Sequence, residues 1–143
     1  MKPSQNTIVM SISPRWVDMI VEGKKKVELR RRAPSVEYSR CRILIYATAP
    51  VSSIVAKCEA NGILRGSTEF LWREIGQISG CTKREFFSYF ENANNPSALY
   101  LTKVGPTPLL TLQRLRGELG WHPPVAWHRL DPGSPILSWV YSE

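Results

Sequence analysis

The run Gly23-Lys24-Lys25-Lys26-Val27-Glu28-Leu29-Arg30-Arg31-Arg32 restricts the fold more than any other stretch of the chain. A glycine closes a periodic apolar segment, and the residues after it alternate as a strand does. From Lys26 on, extended backbone puts Lys26, Glu28, Arg30 and Arg32 on one face and Val27 and Leu29 on the other, because successive side chains point to opposite sides. A strand with one apolar face and one charged face holds its charges against something outside the core. Lys25 stands at the turn that enters this strand.

The flanking segments read as short elements. Thr7 to Ile12 is apolar and β-branched, the pattern of a buried strand. Ser13-Pro14 opens a helix, with Pro14 at the first helical position, and Trp16, Val17, Met19 and Ile20 give it an apolar stripe that Gly23 ends. Residues 33–39 read as a loop, 42–48 as the clearest strand, and 51–60 as another, with Asn61-Gly62 a turn or bulge. Helical periodicity appears over 67–75 and again over 82–90, where Thr82 and Glu85 form a capping box. A strand is expected over 98–104, a break at Gly105-Pro106, then an extended piece and a helix from Leu112 to Leu119, capped by Thr111 and stopped by Gly120. Trp121-His122-Pro123-Pro124 reads as a rigid extended corner, and Ser134-Pro135 as the start of a last helical turn or two. This order of elements predicts an α+β fold: a small β-barrel with flanking short helices.

A chain of 143 residues is expected to form a single domain, 1–143, with 131–143 a short C-terminal extension. Its 43% hydrophobic and 22% charged residues argue for a globular chain rather than a disordered one. A net charge of +7 favours anionic partners. Cys41, Cys58 and Cys81 are too far apart in sequence for a metal motif and read as free thiols, so neither a metal nor a cofactor is expected. No segment approaches the roughly 18 apolar residues of a membrane span, and a cytoplasmic protein is the expectation.

Gly23, Lys25, Glu28 and Arg30 fit the pattern Gly-x-Lys-x-x-Glu-x-Arg, and in this respect the chain resembles the ASCH domains of the PUA-like superfamily. Ser11-Ile12-Ser13-Pro14 before a Trp-bearing helix, Ile45 to Pro50, the two-helix insert and the Gly120-Trp121-x-Pro-Pro corner extend the resemblance from about Thr7 to Leu130. The resemblance implies a β-barrel with a cleft beside the first helix, lined by the motif residues. It also implies RNA or a nucleotide-like anion as the partner, since family members are mainly RNA-binding domains. Some relatives are ribonucleases and others hydrolyse modified nucleosides such as N4-acetylcytidine. Those amidohydrolases resemble Gly-x-Lys-x-x-Thr-x-Arg, whereas this chain has Glu28 at the threonine position. They also carry an acid before the last helix of the insert, where Gln77 to Ser79 offers none and Glu74 is the nearest.

The resulting binding set is Gly23, Lys25, Lys26, Glu28, Arg30 and Arg32 from the run, with Trp16, Tyr46 and Thr48 from the neighbouring elements. Lys25 and Glu28 are the catalytic pair if the chain is an enzyme: the ammonium polarises a carbonyl or phosphoryl oxygen and the carboxylate carries the proton. Glu28 and Arg30, two apart on one strand face, are placed to pair as a planar fork. For Lys24, Lys26, Arg31 and Arg32 the alternative is a solvated charged face, and for Trp16, Tyr46 and Tyr100 it is core packing instead of base stacking.

Overall fold

The computed structural model describes residues 6–141. In chain order the elements are β1 (Thr7–Ile12), α1 (Pro14–Val21), β2 (Val27–Arg30), β3 (Arg42–Ala47), β4 (Ser53–Arg65), α2 (Thr68–Ile75), α3 (Lys83–Phe90), β5 (Ser97–Thr111), α4 (Leu112–Leu119), β6 (Trp127–Arg129) and α5 (Pro135–Tyr141). The six strands form one mixed sheet, curled into a half-barrel, in the order β2-β5-β4-β3-β1-β6. Among the described residues, only the β1–β3 pair is parallel. The fold is α+β, as the sequence predicts.

Strand parity sorts the core. Ile8, Met10 and Ile12 of β1, with Ile43, Ile45 and Ala47 of β3, face α1 together with Val17 and Ile20. The intervening Val9, Leu44 and Tyr46 face the other way, against Leu115 of α4 and Ile136 and Val140 of α5. Beyond β5 a third cluster forms where Val27, Leu29 and Ala98 meet Leu71, Ile75, Phe86 and Phe90 of α2 and α3. The sheet is therefore covered on both faces, and its central strands are apolar at nearly every position. Phe86 is fully buried, and truncating such a side chain to alanine costs about 3–5 kcal/mol.

Some local expectations change. Gly105-Pro106 does not break a strand: β5 runs 15 residues through it. The register against β4 shifts there, and Ala56 faces Pro106 and Lys57 faces Gly105, so the irregular residues are absorbed as bends in a curled pair. Asn61-Gly62 likewise lies inside β4, at the register shift between Ala60 and Ile63, and is a bulge rather than a turn. The three-residue β6 has no local signal in the sequence; it exists because β1 offers a free edge to Trp127–Arg129. The charged strand is also shorter than its alternation suggests, ending at Arg30, so Arg32 lies beyond it.

Candidate nucleic-acid interface

The site is assembled where α1, the turn after it, β2 and the α2–α3 connector converge. Gly23 takes a φ of +81°, which ends α1 and reverses the chain, and the amides of Lys24 and Lys25 then both donate to the Met19 carbonyl. This turn throws the Lys25 side chain inward, to 4% exposure, while Lys24 and Lys26 stay in solvent. The amide of Lys26 donates to the Ile78 carbonyl at 2.7 Å, tying the turn to the connector. From there the Lys25 ammonium donates to the Ser79 carbonyl at 2.8 Å. Ser79 is itself fixed: its hydroxyl donates to the Gly76 carbonyl and accepts from the Cys81 amide. Gly80 comes next with a φ of +77°, and a Cβ there would stand 3.2 Å from the Cβ of Lys25, so the connector needs glycine for both conformation and space.

Glu28 pairs across the sheet with Leu99 and therefore shares the face that α1 covers, whereas Val27 and Leu29 pair with Tyr100 and Ala98 under α2 and α3. Its carboxylate lies between two cations. One oxygen is 4.0 Å from the Lys25 ammonium and the other 3.2 Å from a terminal nitrogen of Arg30. The expected planar fork is absent. The Arg30 contact is a single ion-pair approach without hydrogen-bond alignment, and Nε and Nη2 of Arg30 are buried with no hydrogen-bond partner among the described residues. Burial holds the Lys25 ammonium below its ordinary pKa, opposed in part by the charge of Glu28.

A cleft of about 110 Å³ opens above this pair. Lys25, Glu28 and Leu29 line it from the motif, Trp16 from α1, and Cys81, Glu85 and Tyr89 from the connector and α3. The Trp16 ring centroid is 4.9 Å from the Lys25 ammonium and 4.1 Å from the guanidinium carbon of Arg15. Arg15 in turn contacts Glu85 at 2.7 Å, so an ion pair links α1 to α3 beside the cleft. That guanidinium, with the Thr82 amide, holds the Glu85 carboxyl down at about 2. The Tyr89 hydroxyl donates to the Leu29 carbonyl at 3.0 Å, and burial raises its pKa and that of the Cys81 thiol.

The residues expected at the site therefore divide. Lys25, Glu28 and Trp16 line the cleft, and Arg30 supports Glu28 from behind. Gly23 shapes the turn, while Lys26 and Arg32 are exposed near the cleft-bearing strand without lining the cleft. Tyr46 and Thr48 do not line it. Tyr46 is 4% exposed and packs on Trp121, because its parity in β3 turns it toward α4 and α5, away from the α1 face. Thr48 sits in the turn after β3, where its amide donates to the Ile12 carbonyl. Glu74 is exposed and away from the cleft; the acid that the insert contributes is Glu85. Cys81, Glu85 and Tyr89 escape a reading of the motif alone. Their signal is the helical spacing of Glu85 and Tyr89 beside the core positions Phe86 and Phe90, which places them on the flank of α3.

Among the described residues no group of three or more His, Cys, Asp or Glu is arranged to hold a metal ion, and no helix is long and apolar enough to cross a membrane. Comparison with known proteins gives consistent matches. The sequence profile of the ASCH domain matches residues 10–106. An "ASCH domain-containing ribonuclease" of Zymomonas mobilis is 31% identical over 139 residues, covering 95% of this chain and 93% of that protein. The crystal structure of ASCH from Zymomonas mobilis superposes with a TM-score of 0.81 at 31% identity, over 90% of each chain. A large ribosomal subunit protein of Ureaplasma parvum is 24% identical over 80% of this chain, which is 38% of that protein. By its matched profile, its sequence and its fold, the chain belongs to the ASCH domain family.

Proposed function

We propose that this protein binds single-stranded RNA and takes the edge of one base into the cleft over Lys25 and Glu28. The observation that carries this reading is the buried ammonium and carboxylate, 4.0 Å apart, beneath the Trp16 ring. An ammonium only donates hydrogen bonds and an ionised carboxylate only accepts them. A nucleobase edge, which presents an acceptor beside an N–H donor, matches that pair. A phosphate matches it less well, because Glu28, which lines the cleft, would repel it. The backbone is left to the exposed cations Lys24, Lys26 and Arg32, which neutralise charge without reading sequence. A Zymomonas mobilis relative named as a ribonuclease supports RNA as the partner.

That name also favours a second reading, in which the bound strand is cut. Glu28 would accept the 2′-hydroxyl proton. Lys25, its pKa lowered by burial, would stabilise the charge that develops on the phosphoryl oxygens or hand a proton to the leaving oxygen. The N4-acetylcytidine hydrolase reading has less behind it, with a carboxylate at position 28 in place of threonine.

Fluorescence anisotropy with a 5′-labelled single-stranded RNA tests the proposal. Binding is expected at low salt and should weaken steeply between 50 and 200 mM, by roughly tenfold or more for a few neutralised phosphates. Lys25→Ala should reduce affinity with little change in the salt slope, because it removes a base contact. Lys26→Ala and Arg32→Ala should each flatten the slope. Absent or salt-indifferent binding would rule the proposal out. Gel analysis of the same strand, with Glu28→Gln as control, separates binding from cleavage.

A further inference from the structure

A second groove lies on the far side of α3, formed by Trp72, Arg73 and Glu69 of α2, Gln77 of the connector, and Lys83 and Phe87 of α3. We propose that this groove is a second nucleotide subsite, where a base neighbouring the one held over Lys25 stacks on one of the rings Trp72 and Phe87 and meets the other edge-on, while Arg73 and Lys83 meet the phosphates. The inference rests on the RNA-binding reading of the first cleft and extends it along the strand.

Size separates the two. The first cleft, about 110 Å³, accommodates a base edge, whereas the groove, about 460 Å³, falls within the range of roughly 300–1,000 Å³ usual for whole small ligands. The groove's rings are fixed in advance. The Trp72 ring lies across Gly76, where any Cβ would overlap it, and it meets Phe86 edge-on at 5.1 Å and Phe87 at 6.3 Å. Both Trp72 and Phe87 remain half-buried rather than enclosed, so each keeps exposed ring surface. A ring already held by packing before binding loses little freedom when a base stacks on it.

The cations are in position as well. The Lys83 ammonium is 5.8 Å from the Phe87 ring centroid, and the Arg73 guanidinium carbon is 5.9 Å from that of Phe70. Both are exposed, and neither forms an ion pair among the described residues. Against the single carboxylate of Glu69 they leave the groove net positive.

The two sites border the same helix and the same connector. Glu85 and Tyr89 face the first cleft, and Lys83 and Phe87 face the groove, on opposite flanks of the same helix. The connector runs from Gln77 in the groove to Cys81 in the cleft, a span of at most roughly 14 Å in extended chain. Exposed Lys26, whose amide is bonded to Ile78, stands beside that crossing. A strand leaving the cleft over the connector therefore meets a cation and then the aromatic groove.

A length series of labelled single-stranded RNA, from two to eight nucleotides, tests this in the wild type, in Lys25→Ala and in the double variant Arg73→Glu, Lys83→Glu. Wild-type affinity should climb with length, while the double variant keeps wild-type affinity for the shortest strand and binds the octamer at least tenfold more weakly. If the double variant climbs as the wild type does, the groove is not a subsite. If Lys25→Ala loses nothing at any length, the reading of the first cleft fails, whatever the groove does. Photocrosslinking of a 4-thiouridine octamer to the wild type needs no variant: adducts on Trp72 or Phe87 support the subsite, and adducts confined to the first cleft overturn it.

Discussion

Glu28 holds more of the site together than its place in a basic run suggests. Its two oxygens face Lys25 and Arg30, and all three side chains are at most 12% exposed. Removing one partner from a buried ionic group leaves the others uncompensated, which typically costs about 3–5 kcal/mol. Glu28→Gln leaves two neighbouring cations facing each other and should destabilise the fold by about 3 kcal/mol, read from the urea midpoint. Lys25→Met leaves Glu28 its contact with Arg30 and should cost less, although the Ser79 carbonyl loses its donor. Equal stabilities for Glu28→Gln and the wild type would show that Lys25 and Arg30 have another counter-charge. Lys25 also sets a pH dependence. Its pKa in the fold lies below the ordinary 10.5, so the unfolded chain binds the proton more tightly. Stability contributed by this group therefore rises with pH between the lowered value and about 10.5. The rise should vanish in Lys25→Met.

At the scale of elements, α3 is held to its neighbours from both ends. At the C-terminal end, Arg31 donates from one terminal nitrogen to the Tyr89 carbonyl at 2.6 Å and the Glu91 carbonyl at 2.8 Å. The second arginine of the triplet is thus a helix cap, not a free surface cation. Arg31→Ala should cost about 0.5–1 kcal/mol of stability, as cations at helix C-termini generally contribute, whereas the exposed Arg32→Ala should cost almost nothing. Thermal unfolding of the two variants side by side makes the comparison. At the N-terminal end, Glu85 closes the capping box on Thr82 and pairs with Arg15 of α1. Its carboxyl is held at about 2, below the ordinary 4.5. The stability it gives is therefore complete above about 4.5 and is lost as the pH falls toward 2. Acid titration of the melting temperature should show a drop across that window that is smaller in Glu85→Gln.

Across the whole molecule, the features legible in the sequence are those that local chemistry decides. The Thr82 box, the Pro14 start, the Gly23 stop and the apolar strands β1 and β3 are written within a few residues and appear as read. The turn that carries Lys25 and the alternation that places Glu28 are equally local, so this part of the candidate site is legible too, whereas the burial of Lys25 depends on the distant Ser79 connector. The rest depends on partners distant in sequence. Gly105 and Pro106 look like a break until β4 supplies a shifted register to accommodate them. β6 is only three residues long and exists through its pairing with β1, more than a hundred positions earlier. Glu85 and Tyr89 reach the cleft because α3 docks against α1 and β2, and the sequence of α3 names its buried face without naming what lies beside it. Tyr46 belongs to the expected cleft only through resemblance, although the alternation of β3 already turns it to the opposite face from Ile45. Residues outside the matched profile matter as well: Leu115, Leu130, Ile136 and Val140 complete the cluster beneath Tyr46.

β2 is an outermost strand of the sheet, paired on one side with β5. Such a strand in general offers unpaired backbone to another chain, but in β2 the Leu29 carbonyl already accepts from the Tyr89 hydroxyl and Val27, Glu28 and Leu29 are buried. Here it is bracketed by Lys24 and Lys26 before it and by Arg31 and Arg32 after it, all exposed. Edge-to-edge pairing with a second copy would bring these like charges together, which opposes it. The cations proposed to meet RNA would thus also oppose pairing of β2 with a second copy when no RNA is bound. Replacing Lys24, Lys26 and Arg32 together by glutamine should leave the melting temperature near its original value while raising light scattering at high protein concentration.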